Sequence, residues 1–134
     1  MIIYLIDDDN LGLFLNEHLL RTAGFLGPIH AFQSAEAALP VLVREETDRP
    51  RLVFLDVNMP VMSGWEFLDA LAPHEAKLFG NCHIYVLTSS LALADAQQST
   101  TYALVAGLIH KPLKIEEFQA IERKLAGELP GPPQ

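Results

Sequence analysis

Five short, near-continuous apolar runs punctuate the sequence: Ile2–Ile6, Ile29–Phe32, Leu52–Leu55, Ile84–Leu87 and Leu108–His110. A strand of a one-sided sheet alternates apolar and polar residues, whereas a run without alternation is a strand covered on both faces. The stretches between the runs carry helical period. Strands joined through helices require right-handed crossovers, and therefore a parallel sheet with helices on both sides. The chain is expected to be α/β: a doubly wound, five-stranded parallel sheet of order 2-1-3-4-5 with five helices. Its 134 residues suffice for one such domain and not for two.

Asn10 is read as the cap of a first helix, with Leu11, Phe14, Leu15, His18 and Leu19 as its inward stripe and its end near Gly24. Ser34 opens a second helix with Ala35, Ala38, Leu39 and Leu42 inward, and Pro40 is expected to distort or shorten its start. Gly64–Leu71 forms a third that Pro73 interrupts, the long connection Pro73–Cys82 extending it, and Leu91–Ala103 forms a fourth. The fifth, from about Lys114 to Ala126, sets Ile115, Phe118, Ile121 and Leu125 on one face, with Glu116 and Glu117 near its positive end. Lys114 is a poor N-cap. Residues 1–126 are expected to form the domain, and 127–134 a short proline-rich tail.

Composition narrows the function. Seventeen acids against nine bases give a net charge of −8, which argues against nucleic acid or an anionic membrane as the primary partner. The lone Cys82 leaves no internal disulfide framework or CxxC zinc site, and is consistent with a reducing compartment. No apolar run approaches the ~20 residues of a membrane span, and Met1–Ile6 lacks the basic start of a secretory signal. A cytoplasmic domain is expected.

In a flavodoxin-like sheet, ligands sit at the carboxyl ends of strands 1 and 3, where the winding reverses. Asp7, Asp8 and Asp9 follow the first run directly, and Asp56 ends the third. Clustered carboxylates repel, and a hard divalent cation such as Mg²⁺ resolves the conflict. Taken alone, Asp7 and Asp8 read equally as a solvated turn. Thr88 and Lys111 stand at the ends of strands 4 and 5, however, completing a set of acids, hydroxyl and amine on one rim. Phosphoryl transfer to a carboxylate calls for this set: a nucleophile, metal-held oxygens, an ammonium and a hydroxyl donor.

At these residues the sequence resembles the receiver domain of two-component response regulators, of the CheY-like stand-alone type. The matching text is Leu-Ile-Asp7-Asp8-Asp9, Val-Phe-Leu-Asp56-Val-Asn-Met-Pro60-Val-Met-Ser-Gly64, Val-Leu-Thr88-Ser89-Ser90 and His-Lys111-Pro112-Leu. The resemblance implies that Asp56 accepts a phosphoryl group from a sensor histidine kinase or phosphotransfer protein. It implies Mg²⁺ held by Asp8, Asp56 and the backbone carbonyl of Asn58, with Asp7 acting through water. Lys111 would pair with Asp56 and then with the phosphoryl group, and Thr88 would swing toward that group, with the small Ser89 beside it. Pro60 and Gly64 would shape the loop into helix 3. Such a protein is a signalling phosphoacceptor that catalyses its own transfer and dephosphorylation, not a turnover enzyme. With no output domain after residue 126, it would signal through the helix 4/strand 5/helix 5 face, from exposed residues among Asp95, Gln98, Tyr102, His110 and Lys114.

Receivers usually carry an aromatic three residues before the strand-5 lysine, and here Leu108 stands there. Tyr102 is the available substitute, though a Tyr on an amphipathic helix more often packs. Phosphorylation is thus expected to move the strand 4/helix 4 loop without a side-chain switch at position 108. Asn58 and Ser90 would flank an attacking water and set an intermediate lifetime for the phosphoryl group. His18, His30, His74, His83 and His110 have no ligand spacing, Trp65 reads as a core or surface anchor, and no GxGxxG or Walker loop supports nucleotide binding. An aspartyl-phosphate phosphohydrolase of the haloacid-dehalogenase type would want a second carboxylate two residues after the nucleophile, where Asn58 stands. A phosphorylation-independent pseudo-receiver would usually have lost the acidic pair, the acceptor or the lysine.

Overall fold

The structure, a computed structural model, describes residues 1–89 and 93–128. Ser90, the expected start of the fourth helix at Leu91, and most of the proline-rich tail lie outside the described residues. Five parallel strands form one sheet: β1 (Ile2–Ile6), β2 (Ile29–Phe32), β3 (Arg51–Asp56), β4 (Cys82–Thr88) and β5 (Val105–His110). Their order is β2-β1-β3-β4-β5, the order expected of a flavodoxin-like sheet. Register builds the rim. Ile6 pairs with Leu55, so Asp7 comes level with Asp56; Asp56 pairs with Leu87 and Thr88 with His110, so Thr88 and Lys111 follow one step on.

Side chains alternate across a strand, and the sheet sorts them into two cores. Tyr4, Ile6, Val53, Leu55, Ile84 and Val86 face α2 (Ala35–Arg44) and α3 (Gly64–Leu71). Ile3, Leu5, Leu52, Phe54, Tyr85 and Leu87 face α1 (Asn10–Thr22) and α5 (Ile115–Glu128). Among the described residues, no helix is long and apolar enough to cross a membrane.

Several helices differ from the sequence reading. Asp9, not Asn10, caps α1: its carboxylate accepts from the Leu11 N–H at 3.1 Å. Most of the expected α1 stripe faces outward as well: Leu13 and Leu20 are buried while Leu11, Phe14, Leu15 and His18 lie exposed, and of the five only Leu19 packs, half-buried, against the core. Apolar residues occupy both sides of this helix, so periodicity does not choose between them. The turn through Asp7–Asp9 does, because it lays Gly12 against the Asp7 carboxylate, where a Cβ would stand 2.9 Å from Oδ2.

Ser34 caps α2 as expected, but the helix runs through Pro40 unshortened. The carbonyl that Pro40 cannot bond belongs to Glu36, an exposed residue that water can serve. After α3, Pro73 sits in a single 3₁₀ turn (Ala72–His74), and one α-helical turn (Glu75–Leu78) then delivers Leu78 to the core. The fourth helix, α4, spans Leu93–Ser99 and stops short of Ala103. There the Ser99, Thr100 and Thr101 hydroxyls each donate 2.7 Å bonds to carbonyls three residues back, competing with helix continuation. At α5 the weak Lys114 cap is offset by Glu117, whose Oε1 accepts from the Lys114 N–H at 3.0 Å.

Candidate functional site

Asp7 and Asp56 are buried at the tips of β1 and β3, while Asp8 beside them is exposed. Each of the three offers one carboxylate oxygen, and these oxygens lie within 4.8 Å of one another. Lys111 reaches across from β5: its Nζ stands 3.2 Å from Asp56 Oδ1 and 3.3 Å from Asp7 Oδ2. Two backbone amides hold the acids in place, Asp9 N–H donating to Asp7 Oδ1 at 2.9 Å and Asn58 N–H to Asp56 Oδ1 at 3.2 Å. Thr88 is fully buried; its hydroxyl donates to Asp95 Oδ2 on α4 at 3.4 Å, and its carbonyl accepts from the Lys111 N–H at 2.9 Å.

The loop from Asp56 to α3 has to pass close to the sheet. A Cβ on Gly64 would lie 2.7 Å from both the Asp56 carbonyl oxygen and Val57 Cα, so only glycine fits. Ser63 then starts α3 through a reciprocal capping box with Glu66. The turn leaves Val61 at φ 67°, a left-handed conformation that a β-branched residue adopts at a cost. Across the rim, the Lys111–Pro112 peptide bond is cis.

Electrostatics follow from this packing. Burial raises the Asp56 carboxyl to about 6, the Asn58 amide opposing it, the Asp7 charge adding to it, and Lys111 pulling it back. For Lys111, burial works to lower the ammonium, but Asp56 and then Asp7 outweigh it and hold it above its usual range.

Asp7, Asp8, Asp56, Thr88 and Lys111 thus meet on one rim, with Asn58 joining them through its backbone N–H. Among the described residues, no histidine joins the acidic group. Tyr102 does not turn toward the site. Its hydroxyl donates to Asp69 Oδ1 at 2.8 Å, and its ring stacks on Trp65 with centroids 6.1 Å apart. Leu108 packs, half-buried, against the core beneath α2 and α3. Sequence reasoning placed Asp95 only on the outer face of α4; its contact with Thr88 spans seven residues, a separation that no local periodicity flags.

The family pattern described as response regulator receiver domain matches residues 3–122. The chain is a response regulator receiver domain. It is 30% identical over 121 residues to the "Probable methanogenesis regulatory protein FilR2" of Methanothrix harundinacea (strain 6Ac), covering 88% of this chain and 76% of that one. A two-component response regulator from Cytophaga hutchinsonii superposes with a TM-score of 0.85 at 26% identity, over 94% of this chain and 96% of the other. A response regulator receiver protein from Dyadobacter fermentans DSM 18053 gives 0.84 at 24% identity over 94% and 98%, a likeness of fold alone. This receiver domain accordingly has the CheY-like fold and works in two-component signalling, and its acidic trio is one that could hold a metal ion.

Proposed function

We propose that this receiver domain takes up a phosphoryl group on Asp56 and passes the change to a protein partner. The observation that carries the reading is the Lys111 ammonium, set between two buried carboxylates at one strand rim. A lysine so placed neutralises the acids at rest and remains to meet a phosphoryl oxygen once Asp56 is esterified.

The transfer balances as a displacement at phosphorus. An Asp56 carboxylate oxygen forms the new O–P bond as the N–P bond of a phosphohistidine breaks, and the imidazole leaves with the electron pair. Asp56 must be ionised to attack, and at about 6 its carboxyl is mostly so at neutral pH. Three carboxylates able to bring an oxygen each within 4.8 Å of the others suit a small hard cation. Asp7, Asp8, Asp56 and the Asn58 backbone carbonyl would hold Mg²⁺, which supplies positive charge against the phosphoryl oxygens when bound. Thr88 would give its hydroxyl to the product.

The donor is a sensor histidine kinase or a phosphotransfer protein, and the output surface is the face of α4, β5 and α5. Residues 1–126 are the functional unit. Intact-mass measurement after acetyl phosphate or phosphoramidate, with and without Mg²⁺, tests the reading. Wild type should gain one phosphoryl group only with Mg²⁺, and Asp56→Asn none. An unchanged wild-type mass would favour a phosphorylation-independent interaction module. Phosphate-ester turnover that survives Asp56→Asn would point to a hydrolase.

A further inference from the structure

The Thr88 hydroxyl already has an acceptor at rest, the Asp95 carboxylate in the first turn of α4. A hydroxyl has one proton to give. The Thr88 backbone is fixed to the tip of β5, where its carbonyl accepts from Lys111 at 2.9 Å, so the hydroxyl can change acceptor only by rotating its side chain. We infer that Asp95 is a positioning residue: its carboxylate holds the Thr88 hydroxyl in the resting protein, and α4 loses that hold when a phosphoryl group on Asp56 takes the proton donor. The inference rests on the function proposed for Asp56 and adds the group that competes with it. Beyond α4, Tyr102 is bonded to Asp69 of α3 rather than to the rim, so that end of the segment is anchored independently of the exchange. Loss of the Asp95 contact would therefore free the first turn of α4 while the far end stays fastened.

Competition of this kind has a measurable sign. The acyl-phosphate form must pay for breaking the resting bond, so removing Asp95 favours that form. Fluoroberyllate with Mg²⁺ serves as the phosphoryl mimic, and binding is followed by ¹H–¹⁵N spectra of the full chain. Asp95→Ala should bind fluoroberyllate about threefold to tenfold more tightly than wild type, as expected for loss of a hydrogen bond as long as 3.4 Å. Asp95→Asn, which keeps a weaker acceptor, should tighten binding by about twofold or less, and carries the comparison if the alanine variant does not fold.

The decisive arm repeats Asp95→Ala in a Thr88→Val background, where no hydroxyl exists to be held. There the substitution should leave affinity unchanged, a coupling that only action through Thr88 produces. Equal tightening in both backgrounds would mean that Asp95 acts merely by its charge, and no tightening in either would mean that the contact is idle; each overturns the inference while leaving Asp56 as acceptor. A wild type that takes neither fluoroberyllate nor a phosphoryl group removes the acceptor itself, and the inference with it.

Discussion

Asp56 is costly to keep charged. Its folded-state carboxyl titrates near 6 against an ordinary 3.8, chiefly because it is buried. Between those values the folded chain binds the proton more tightly than the unfolded chain, so this group's contribution to stability falls as pH rises through that window. Asp56→Asn should therefore raise stability at pH 7 by about 1–2 kcal/mol while abolishing phosphorylation. In urea denaturation the gain should vanish below about pH 4, where the carboxyl is protonated in both states. Val61 carries a separate strain: it is 86% exposed, loses nothing by truncation, and sits at φ 67°. Val61→Asn should add about 0.5–1 kcal/mol, read as a shift of the denaturation midpoint. Gly64→Ala should do the reverse, by about 1–3 kcal/mol, because both atoms that the new methyl would strike are backbone.

Among the elements, α1 turns apolar side chains outward beside the rim. Leu11 is 62% exposed, Phe14 64% and Leu15 53%, and Leu15 borders the hollow that also holds Asp7 and Lys111. Phe14→Ser should change stability by no more than about 0.5 kcal/mol. It should nonetheless slow phosphoryl transfer from a phosphodonor protein and leave transfer from acetyl phosphate untouched, which the same mass assay distinguishes. This helix is also where the sequence was hardest to read. A stripe is legible only when one side is polar, and α1 has leucines around much of its circumference. Its orientation is decided by Asp7, Asp9 and Gly12 at the rim, a tertiary constraint with no periodic signature. By contrast α2, α3 and α5 have one apolar side each, and Ala38, Leu42, Phe67 and Phe118 lie inward as their spacing requires. The end of α4 was hidden for a further reason: the Ser-Thr-Thr hydroxyls bond the carbonyls of Ala96, Gln97 and Gln98, a choice that depends on rotamers rather than on composition.

For the molecule as a whole, unbroken apolar strands already specify a two-sided sheet, and register then places every acid, hydroxyl and amine that follows a strand on one edge. That is why the rim was readable while the Thr88–Asp95 contact, made between β4 and α4, was not. The sheet leaves the two cores separated by its own thickness. Phe67→Ala on one side and Phe118→Ala on the other should each cost about 3–5 kcal/mol. Their double variant should lose close to the sum, because no packing partner is shared, and chemical denaturation of the three variants checks this. One consequence lies at the surface. Trp65 is the only indole in the chain, and it rests on the phenol ring of Tyr102, joining α3 to the segment between α4 and β5. Ultraviolet emission from a stacked indole changes when its neighbour slides away. The protein therefore carries its own optical gauge, with a colour and brightness that report, without any added dye, whether those two segments are still in register.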